Sequence, residues 1–469
     1  MRNHGFFLRL ALVNIVRNRR FYGPYLLSCG GTAAMYYMLR FLAGTEALAT
    51  VRGAAYLQSM MAIGCGVAAL FAGVILLYAN SFVMKRRQRE LGVYHVLGLE
   101  KRHLARVMGW ETLLCAAGVL ALGLAGGILL SRLLPPLLLG LVHLPVEFHF
   151  FISGKAAWET GTLFLALFVL TLAVNLLHMS RSRPVELLRS VQTGEREPRT
   201  KWLLSLIGAA ALAGGYGLAV TIQDPVEAMI WFFGAVGLVM LGTYCLFTAG
   251  SIAVLKGLRA NRRFYYQTRH FTAVSGLLYR MKQNAAGLSN ICILSTMVLV
   301  TVSTTACLYL GLQEIVTAQA ARLQTVEREA LTQEYYAMYG GFLFLGLVLG
   351  GLFLLTTALI IYYKQLSEGY EDRRRYQILE QVGMTPGEVG ATIRSQILLV
   401  FFLPLGMAGL HLLAASPMLC RMLELFGLRD APLFAACAAG TLLVFCAVYT
   451  LVFGATARTY RRVVSERTV

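Results

Sequence analysis

Ten apolar runs dominate the sequence, and each is long enough to cross a bilayer. A hydrocarbon layer of ~30 Å needs roughly 20 apolar residues in a helix. The runs cover residues 22–43, 57–83, 107–133, 157–178, 202–221, 229–254, 286–311, 338–362, 392–414 and 432–456. A membrane β-barrel would show segments of about ten residues that alternate in polarity, and these runs do not alternate. The sequence therefore predicts an all-α polytopic membrane protein with ten transmembrane helices.

The positive charge follows the predicted topology. The formal net charge is +19, and 34 of the 42 Lys and Arg residues lie in six segments between or beyond the apolar runs. These segments are residues 1–20, 84–106, 179–201, 255–284, 362–394 and 457–469. Lys and Arg concentrate in the cytoplasmic loops of membrane proteins. This distribution predicts cytoplasmic N- and C-termini, and it explains the charge without a nucleic-acid partner.

One basic, amphipathic element occurs twice, because residues 84–114 recur as residues 370–399. Each copy predicts a charged helix, a glycine break and a second helix that continues into the membrane. The chain therefore contains two units of span, element, span and span: spans two to four in 57–190 and spans eight to ten in 338–469. The other predicted regions are an interfacial N-terminal helix with the first span (1–56) and the central spans (191–337).

The repeated element is our candidate docking surface. An apolar stripe on a helix outside the membrane needs a partner to cover it, although a solvated loop that only sets topology is the alternative. Glycine at both breaks suits a helix end with positive φ. The docking candidates are Arg89, Leu91, Tyr94, Leu97 and Gly98 in the first copy, and Arg374, Tyr376, Leu379, Val382 and Gly383 in the second. Thr385, Pro386 and Glu388 predict a helix start, as N-cap, first helical position and reciprocal cap.

Motifs for covalent chemistry are missing from the sequence. It contains no G-x-x-x-x-G-K-[ST] phosphate loop and no H-E-x-x-H zinc motif, so we expect no nucleotide site, no metal site and no enzyme activity in this chain. Arg40, Glu111 and Glu159 lie near span ends, where we expect them to reach the interface. The spans contain few ionisable residues, and this scarcity disfavours an ion-coupled secondary transporter, which would need such residues along its pathway. We interpret the nine cysteines as small apolar residues in a helix bundle, and His149 and His411 as interfacial packing.

The first copy, RRQRELGVYHVLGLEKRHLARVMGWETLL, resembles the signature of the FtsX-like permease family of ABC transporters. LRLALVNIVRNRRFYGPYLLS near the start and RPVELLRS after span four are similar to further parts of that pattern. Ten spans with the element present twice resemble the BceB-type branch of bacterial cell-membrane permeases. One departure is clear, because that branch has a large extracellular domain between spans seven and eight. Here residues 312–336 take its place, and their lack of Gly and Pro predicts helical extensions of the two spans.

The resemblance implies a permease subunit that relies on a separate cytoplasmic ATPase. One ATPase copy would dock on each element, and ATP and Mg would bind to the ATPase and not to this chain. The exported substrate would be a peptide antibiotic or a lipid-linked molecule. The alternative is a non-transporting subunit that passes ATP-driven motion to a sensor histidine kinase or a cell-wall enzyme.

Overall fold

The computed structural model describes residues 4–45, 54–142, 151–181, 202–265, 268–320, 325–381 and 386–465. Within these ranges the chain is helical apart from short turns, and no strand is present. The helices are α1 (His4–Arg17), α2 (Arg19–Ala43), α3 (Ala54–Val96), α4 (Lys101–Val142), α5 (Gly154–Arg181), α6 (Trp202–Thr221), α7 (Pro225–Cys245), α8 (Ser251–Ala260), α9 (Arg262–Tyr265), α10 (Thr268–Leu310), α11 (Leu312–Ala320), α12 (Thr325–Gln381), α13 (Pro386–Glu424) and α14 (Ala431–Ser465). A π-helical turn, Leu246–Gly250, joins α7 to α8.

Nine helices in the described ranges are long and apolar enough to span a membrane. They correspond to predicted spans two to ten, which confirms the all-α polytopic class. The predicted first span is also a helix, α2, but it is less apolar and is not among the nine. Its neighbours explain this composition, because α2 packs against α3, α4 and α5 and buries Ser28 and Thr32 along with Tyr22, Tyr25 and Tyr37. A helix shielded by other helices does not need an apolar surface toward lipid.

Small residues bring α2 and α4 close together. Gly30 and Ala33 on α2 face Gly123 on α4, and Ala34 faces Gly126. A Cβ atom on Gly127 would lie 2.8 Å from the Cβ of Tyr37, so only glycine fits there without displacing α2. Membrane helices associate through such small-residue contacts because lipid provides no hydrophobic force between them.

Two helices continue through prolines that lie just beyond apolar runs of the sequence. Pro135 and Pro136 follow the run 107–133, and Pro417 follows the run 392–414. The structure shows that α4 continues through both prolines to Val142, and that α13 continues through Pro417 to Glu424. Proline removes a helix hydrogen bond, but membrane helices accommodate it when neighbouring groups satisfy the released carbonyl. The short strand suggested near residues 146–150 lies outside the described residues.

The chain divides into two compact units. The first comprises Met1–Glu195 and Leu323–Leu359, and the second comprises Arg196–Arg322 and Ile360–Val469. The boundary falls within the 57-residue helix α12. In the first unit, Phe353 of α12 packs on Phe71 of α3, with ring centroids 4.5 Å apart.

The second unit contains a tight hairpin of α6 and α7, which correspond to spans five and six. Asp224 caps α7 by accepting hydrogen bonds from the backbone N–H groups of Val226 and Glu227, at 2.8 and 3.0 Å. Pro225 occupies the first helical position, where its missing N–H group is tolerated. The described residues of the segment 312–336 form α11 and the start of α12, so they are helical as expected.

Candidate docking site

The first copy of the repeated element forms a helical hairpin. The apolar stretch of α3 ends at Met84, yet the helix continues without a break to Val96. The chain then turns at Leu97–Glu100, and α4 starts at Lys101 and continues into the next span. At 1.5 Å per residue, the turn lies about 20 Å along the helix beyond Met84. A continuous helix on either side connects this turn directly to two membrane spans.

Gly98 ends α3 in a Schellman motif. The Leu99 N–H donates to the Tyr94 carbonyl at 3.0 Å, and the Gly98 N–H donates to the His95 carbonyl at 3.1 Å. Gly98 has a φ of +96°, which is in the left-handed region. This paired arrangement satisfies carbonyls that a helix end would otherwise leave open, and it requires a residue that tolerates positive φ.

Replacing Gly98 by Ala is therefore expected to destabilise the turn. An L-residue in this region costs roughly 1–2 kcal/mol, so amide exchange at Leu99 should accelerate about tenfold, as measured by hydrogen–deuterium exchange of the purified chain. Gly109→Ala is the matched control on α4, because a Cβ there meets nothing within 4 Å and φ is not positive. The control should leave the Leu99 amide unchanged. Equal exchange in the two variants would contradict the proposed role of Gly98.

A small apolar cluster holds the two arms of the hairpin together. Leu91 of α3 packs with Leu104 and Met108 of α4, and all three side chains are buried. Leu99, within the turn, packs against this cluster as well. Leu91 therefore lies inside the hairpin, where it supports the shape rather than presenting a surface.

The turn carries an exposed apolar surface. Val93, Val96 and Leu97 are 45%, 67% and 76% exposed, and we call these three residues the hairpin tip. Only Leu97 was among our docking candidates. The register of α3 could have indicated Val93 and Val96, because they lie on a different side of the helix from the buried Leu91. Large apolar side chains exposed beyond a membrane span indicate a surface that a partner covers.

A buried polar network lies at the base of the hairpin. Arg87 of α3 and Glu111 of α4 form an ion pair, and they are only 3% and 4% exposed. Arg87 Nη1 also donates to the Tyr22 hydroxyl at 3.2 Å. Asn14 of α1 donates to Glu111 at 2.9 Å and accepts from the Tyr94 hydroxyl at 3.2 Å. The network joins α1, α2, α3 and α4 below the hairpin tip.

The three ionisable residues that we expected near the interface all form ion pairs, and the one that is buried is Glu111. Glu111 does not reach solvent, because Arg87 neutralises it within the helix bundle. Arg40 pairs with Glu159 of α5, and both are partly exposed. Asn80 and Asn175 exchange two amide hydrogen bonds, at 2.8 and 3.0 Å. Pairing lowers the cost of placing polar groups among membrane helices.

The second copy is described mainly through its backbone. Arg374, Tyr376 and Leu379 lie in the last turns of α12, which extends past its apolar stretch from Ser367 to Gln381. Val382, Gly383 and Thr385 lie outside the described residues. Pro386 and Glu388 are in the first turn of α13. Arg89 of the first copy lies in α3, again with only its backbone described.

His411 and the cysteines show no reactive arrangement. The Thr243 hydroxyl donates to the Val239 carbonyl at 2.6 Å, so it accepts from His411 Nε2 at 3.0 Å. His411 Nδ1 then accepts from the Tyr216 hydroxyl at 2.6 Å. Both nitrogens of a neutral imidazole are thus satisfied, which is typical of a structural histidine. All nine cysteines are free thiols, and seven of them are buried. His149 lies outside the described residues.

Comparison with known proteins supports the family resemblance. The FtsX-like permease C-terminal family matches residues 62–184, a range that contains the whole hairpin. The chain is 26% identical over 294 residues to the bacitracin export permease protein BceB of Bacillus subtilis, covering 59% of this chain and 44% of BceB. It is 27% identical over 286 residues to the ABC transporter permease protein YxdM of the same species, covering 60% and 44%. BceB of Halalkalibacterium halodurans is 25% identical over 289 residues, covering 59% and 44%.

The aligned part of this chain thus spans less than half the length of these relatives. Within that part, the family match and the relatives agree on one class of membrane protein. Residues 62–184 form an FtsX-like permease C-terminal domain, and the chain is homologous to BceB and other Bacillus ABC transporter permeases.

Proposed function

We propose that this chain is the permease subunit of an ABC transporter, and that its hairpin docks a separate ATPase. The exposed hairpin tip is the observation that supports this proposal most strongly. Val93, Val96 and Leu97 lie at the end of two helices that continue into the membrane. A force applied at the tip would act directly on spans two and three.

In this proposal the partner ATPase binds ATP and Mg, and this chain does not. The sequence has no phosphate-binding loop, so the ATPase subunit would bind and hydrolyse the nucleotide. Closure of the ATPase would move the tip, and the ion pair of Arg87 and Glu111 would keep α3 and α4 moving together. This chain would then act as a transmitter of conformational change and not as an enzyme.

We further propose two ATPase copies, one for each element. The second copy aligns with the first at Arg374, Val382 and Gly383. Its helix also continues past the apolar stretch, as α3 does in the first copy. Both elements lie in basic segments, so we place them and both chain termini in the cytoplasm of a bacterial cell.

For the substrate, we propose a peptide antibiotic or a lipid-linked molecule that is exported. Two of the relatives are named bacitracin export permeases, and this naming favours export over the alternative of a regulator that acts on a sensor kinase. In this chain, α11 and the start of α12 lie at the position between spans seven and eight. Substrate recognition would therefore use short helices or a partner.

Reconstitution tests the proposal. The chain is placed in liposomes with a candidate ABC ATPase from the same organism, and ATP hydrolysis is compared with that of the ATPase alone. We expect the permease to raise the hydrolysis rate several-fold, because docking aligns the two ATPase copies. An ATPase variant without its catalytic base is the control for contaminating activity. Unchanged hydrolysis, together with no stable complex, would contradict the proposal.

A further inference from the structure

Helix α1 stands beside the docking hairpin and runs toward its turn. The partners of α1 and of the adjoining Asn18 move along the hairpin as the residue number falls. The contact pairs are Asn18 with Glu90 at 3.3 Å, Asn14 with Tyr94 at 3.2 Å, and Phe7 with His103, whose ring centroids are 5.7 Å apart. His103 lies in the first turn of α4, directly after the hairpin turn. The N-terminal end of α1 is therefore level with the hairpin tip.

Helix α1 also lies beside the part of α3 that has left the apolar stretch. That stretch ends at Met84, whereas Asn18 and Asn14 contact α3 at Glu90 and Tyr94. At 1.5 Å per residue, Glu90 is already about 9 Å along the helix from Met84. The outward face of α1 thus faces water or a partner protein, and not the acyl chains of the bilayer.

This outward face is apolar and cationic. Phe7, Ala11 and Asn14 point inward and are almost fully buried. The rest of the helix surface carries four exposed large apolar residues and two exposed cations: Phe6, Leu12, Val13, Val16, Arg9 and Arg17. Residues 4–45 contain no Asp or Glu, so this segment offers no carboxylate to its own arginines. Large apolar side chains on a helix outside the bilayer indicate a surface that another protein covers.

Interface size points to the ATPase as that protein. A stable interface uses roughly 20–30 residues and about 800 Å² on each side, whereas the hairpin tip has three exposed apolar residues. The tip is too small to hold a subunit alone. Helix α1 supplies further apolar surface at the same level, because Phe6 adjoins Phe7, which stacks on His103 just past the turn.

We propose that the ATPase docked on the hairpin tip also covers the outward face of α1. The exposed arginines predict that the ATPase surface which meets α1 is apolar at its centre and acidic at its rim. The proposal rests on the function proposed above, because it names a second contact of the same partner. It extends the docking element from two helices to three.

This third helix would connect the ATPase to the first predicted span. A single residue, Asn18, separates α1 from α2. Asn14 bonds to Glu111 of α4 and to Tyr94 of α3, so α1 is also fixed to both arms of the hairpin. Movement of the ATPase would therefore act on spans one, two and three together.

Photocrosslinking from α1 tests the contact in native membranes that contain the ATPase. A benzophenone amino acid is placed at Val13 on the outward face, at Leu97 on the hairpin tip, or at Leu27 of α2, which is 69% exposed within the predicted first span. We expect ATPase crosslinks from positions 13 and 97, and lipid crosslinks from position 27.

The crosslinking outcomes separate this contact from the proposed function. ATPase crosslinks from position 97, with only lipid or no crosslinks from position 13, would overturn the contact on α1 and leave hairpin docking intact. If neither position crosslinks to the ATPase, both proposals fail.

Substitutions in the apolar part of α1 measure its share of the binding. Val13→Asp with Val16→Asp is expected to weaken ATPase binding roughly tenfold in a detergent titration, because it places carboxylates in an apolar contact. Leu258→Asp on α8 is the control and should bind normally. Amide exchange in residues 91–99 should stay unchanged, which shows that the hairpin is intact. Val13→Ser replaces the Asp pair if that variant does not fold, and normal affinity in the folded variant would overturn the proposal.

The cations of α1 have a separate signature. Arg9→Gln with Arg17→Gln should lower the rate of ATPase association and reduce its dependence on salt, as charges at the rim of an interface do. Arg259→Gln with Arg263→Gln, exposed arginines of the second unit, should change neither. An association rate with the same salt dependence in both variants would overturn the acidic rim predicted for the ATPase.

Discussion

Replacing Leu97 by Asp together with Val382 by Asp is expected to abolish co-purification of the ATPase. Leu97 is the most exposed residue of the hairpin tip, and Val382 is its counterpart in the second copy. Truncating a hot-spot residue at the centre of an interface costs about 2 kcal/mol or more, and a buried carboxylate would add a desolvation cost. We expect binding at each element to weaken at least ~30-fold, as measured by pull-down from membranes and by titration in detergent.

The matched control is Leu258→Asp, an exposed leucine of α8 in another basic segment. This variant should bind the ATPase normally, because Leu258 is not part of either element. Both variants should reach the membrane in equal amounts, since Leu97 lies beyond the apolar stretch of α3 and Leu258 lies in the last turn of its own stretch, which ends at Ala260. Stoichiometric ATPase binding by the Leu97 and Val382 double variant would show that docking occurs elsewhere.

Replacing Arg87 by Met is expected to destabilise the first unit strongly. The change leaves the Glu111 carboxylate buried without its cation, which typically costs about 3–5 kcal/mol. The loss should appear in the free energy of unfolding measured by denaturing-detergent titration, and as reduced yield. Arg40→Met is the matched control, because Arg40 and Glu159 are partly exposed and such pairs contribute only about 0–1 kcal/mol.

A second substitution distinguishes the charge from the packing. Arg87→Met combined with Glu111→Leu removes both charges, and it should recover most of the stability lost in the single variant. The double variant should still bind the ATPase but transmit less motion. In this variant Asn14 loses its hydrogen bond to Glu111, and Tyr22 loses its hydrogen bond from Arg87. If the single and double variants are equally destabilised, the side chains matter for packing and not for the ion pair.

Much of the fold could be predicted because membrane helices depend on local composition. Spans two to ten were readable from apolar length alone, and the hairpin turn was readable from Gly98. Helix α2 was harder, because three neighbouring helices shield it and allow it to carry serine and threonine. Pro135 and Pro417 lie inside helices because the bundle accommodates proline there, whereas sequence rules treat proline as a helix end.

The site was only partly predictable because its key contacts are long-range. Arg87 and Glu111 are 24 positions apart, and Asn14 is 97 positions from Glu111. No local pattern indicates that these residues meet. Helical spacing placed Leu91 and Leu97 in one candidate set, but α4 covers Leu91 and leaves Leu97 exposed. Only the packing of α4 separates a residue that supports the hairpin from one that presents its surface.

Photocrosslinking from position 97 in native membranes tests the docking role of the hairpin most directly. A benzophenone amino acid is placed at Leu97 on the hairpin tip, at buried Leu91, or at exposed Leu258. The account predicts a crosslink to the ATPase from position 97, and none from positions 91 and 258. A hairpin tip that crosslinks to lipid or to another protein, while the ATPase remains bound to the chain, would contradict the docking role of the hairpin.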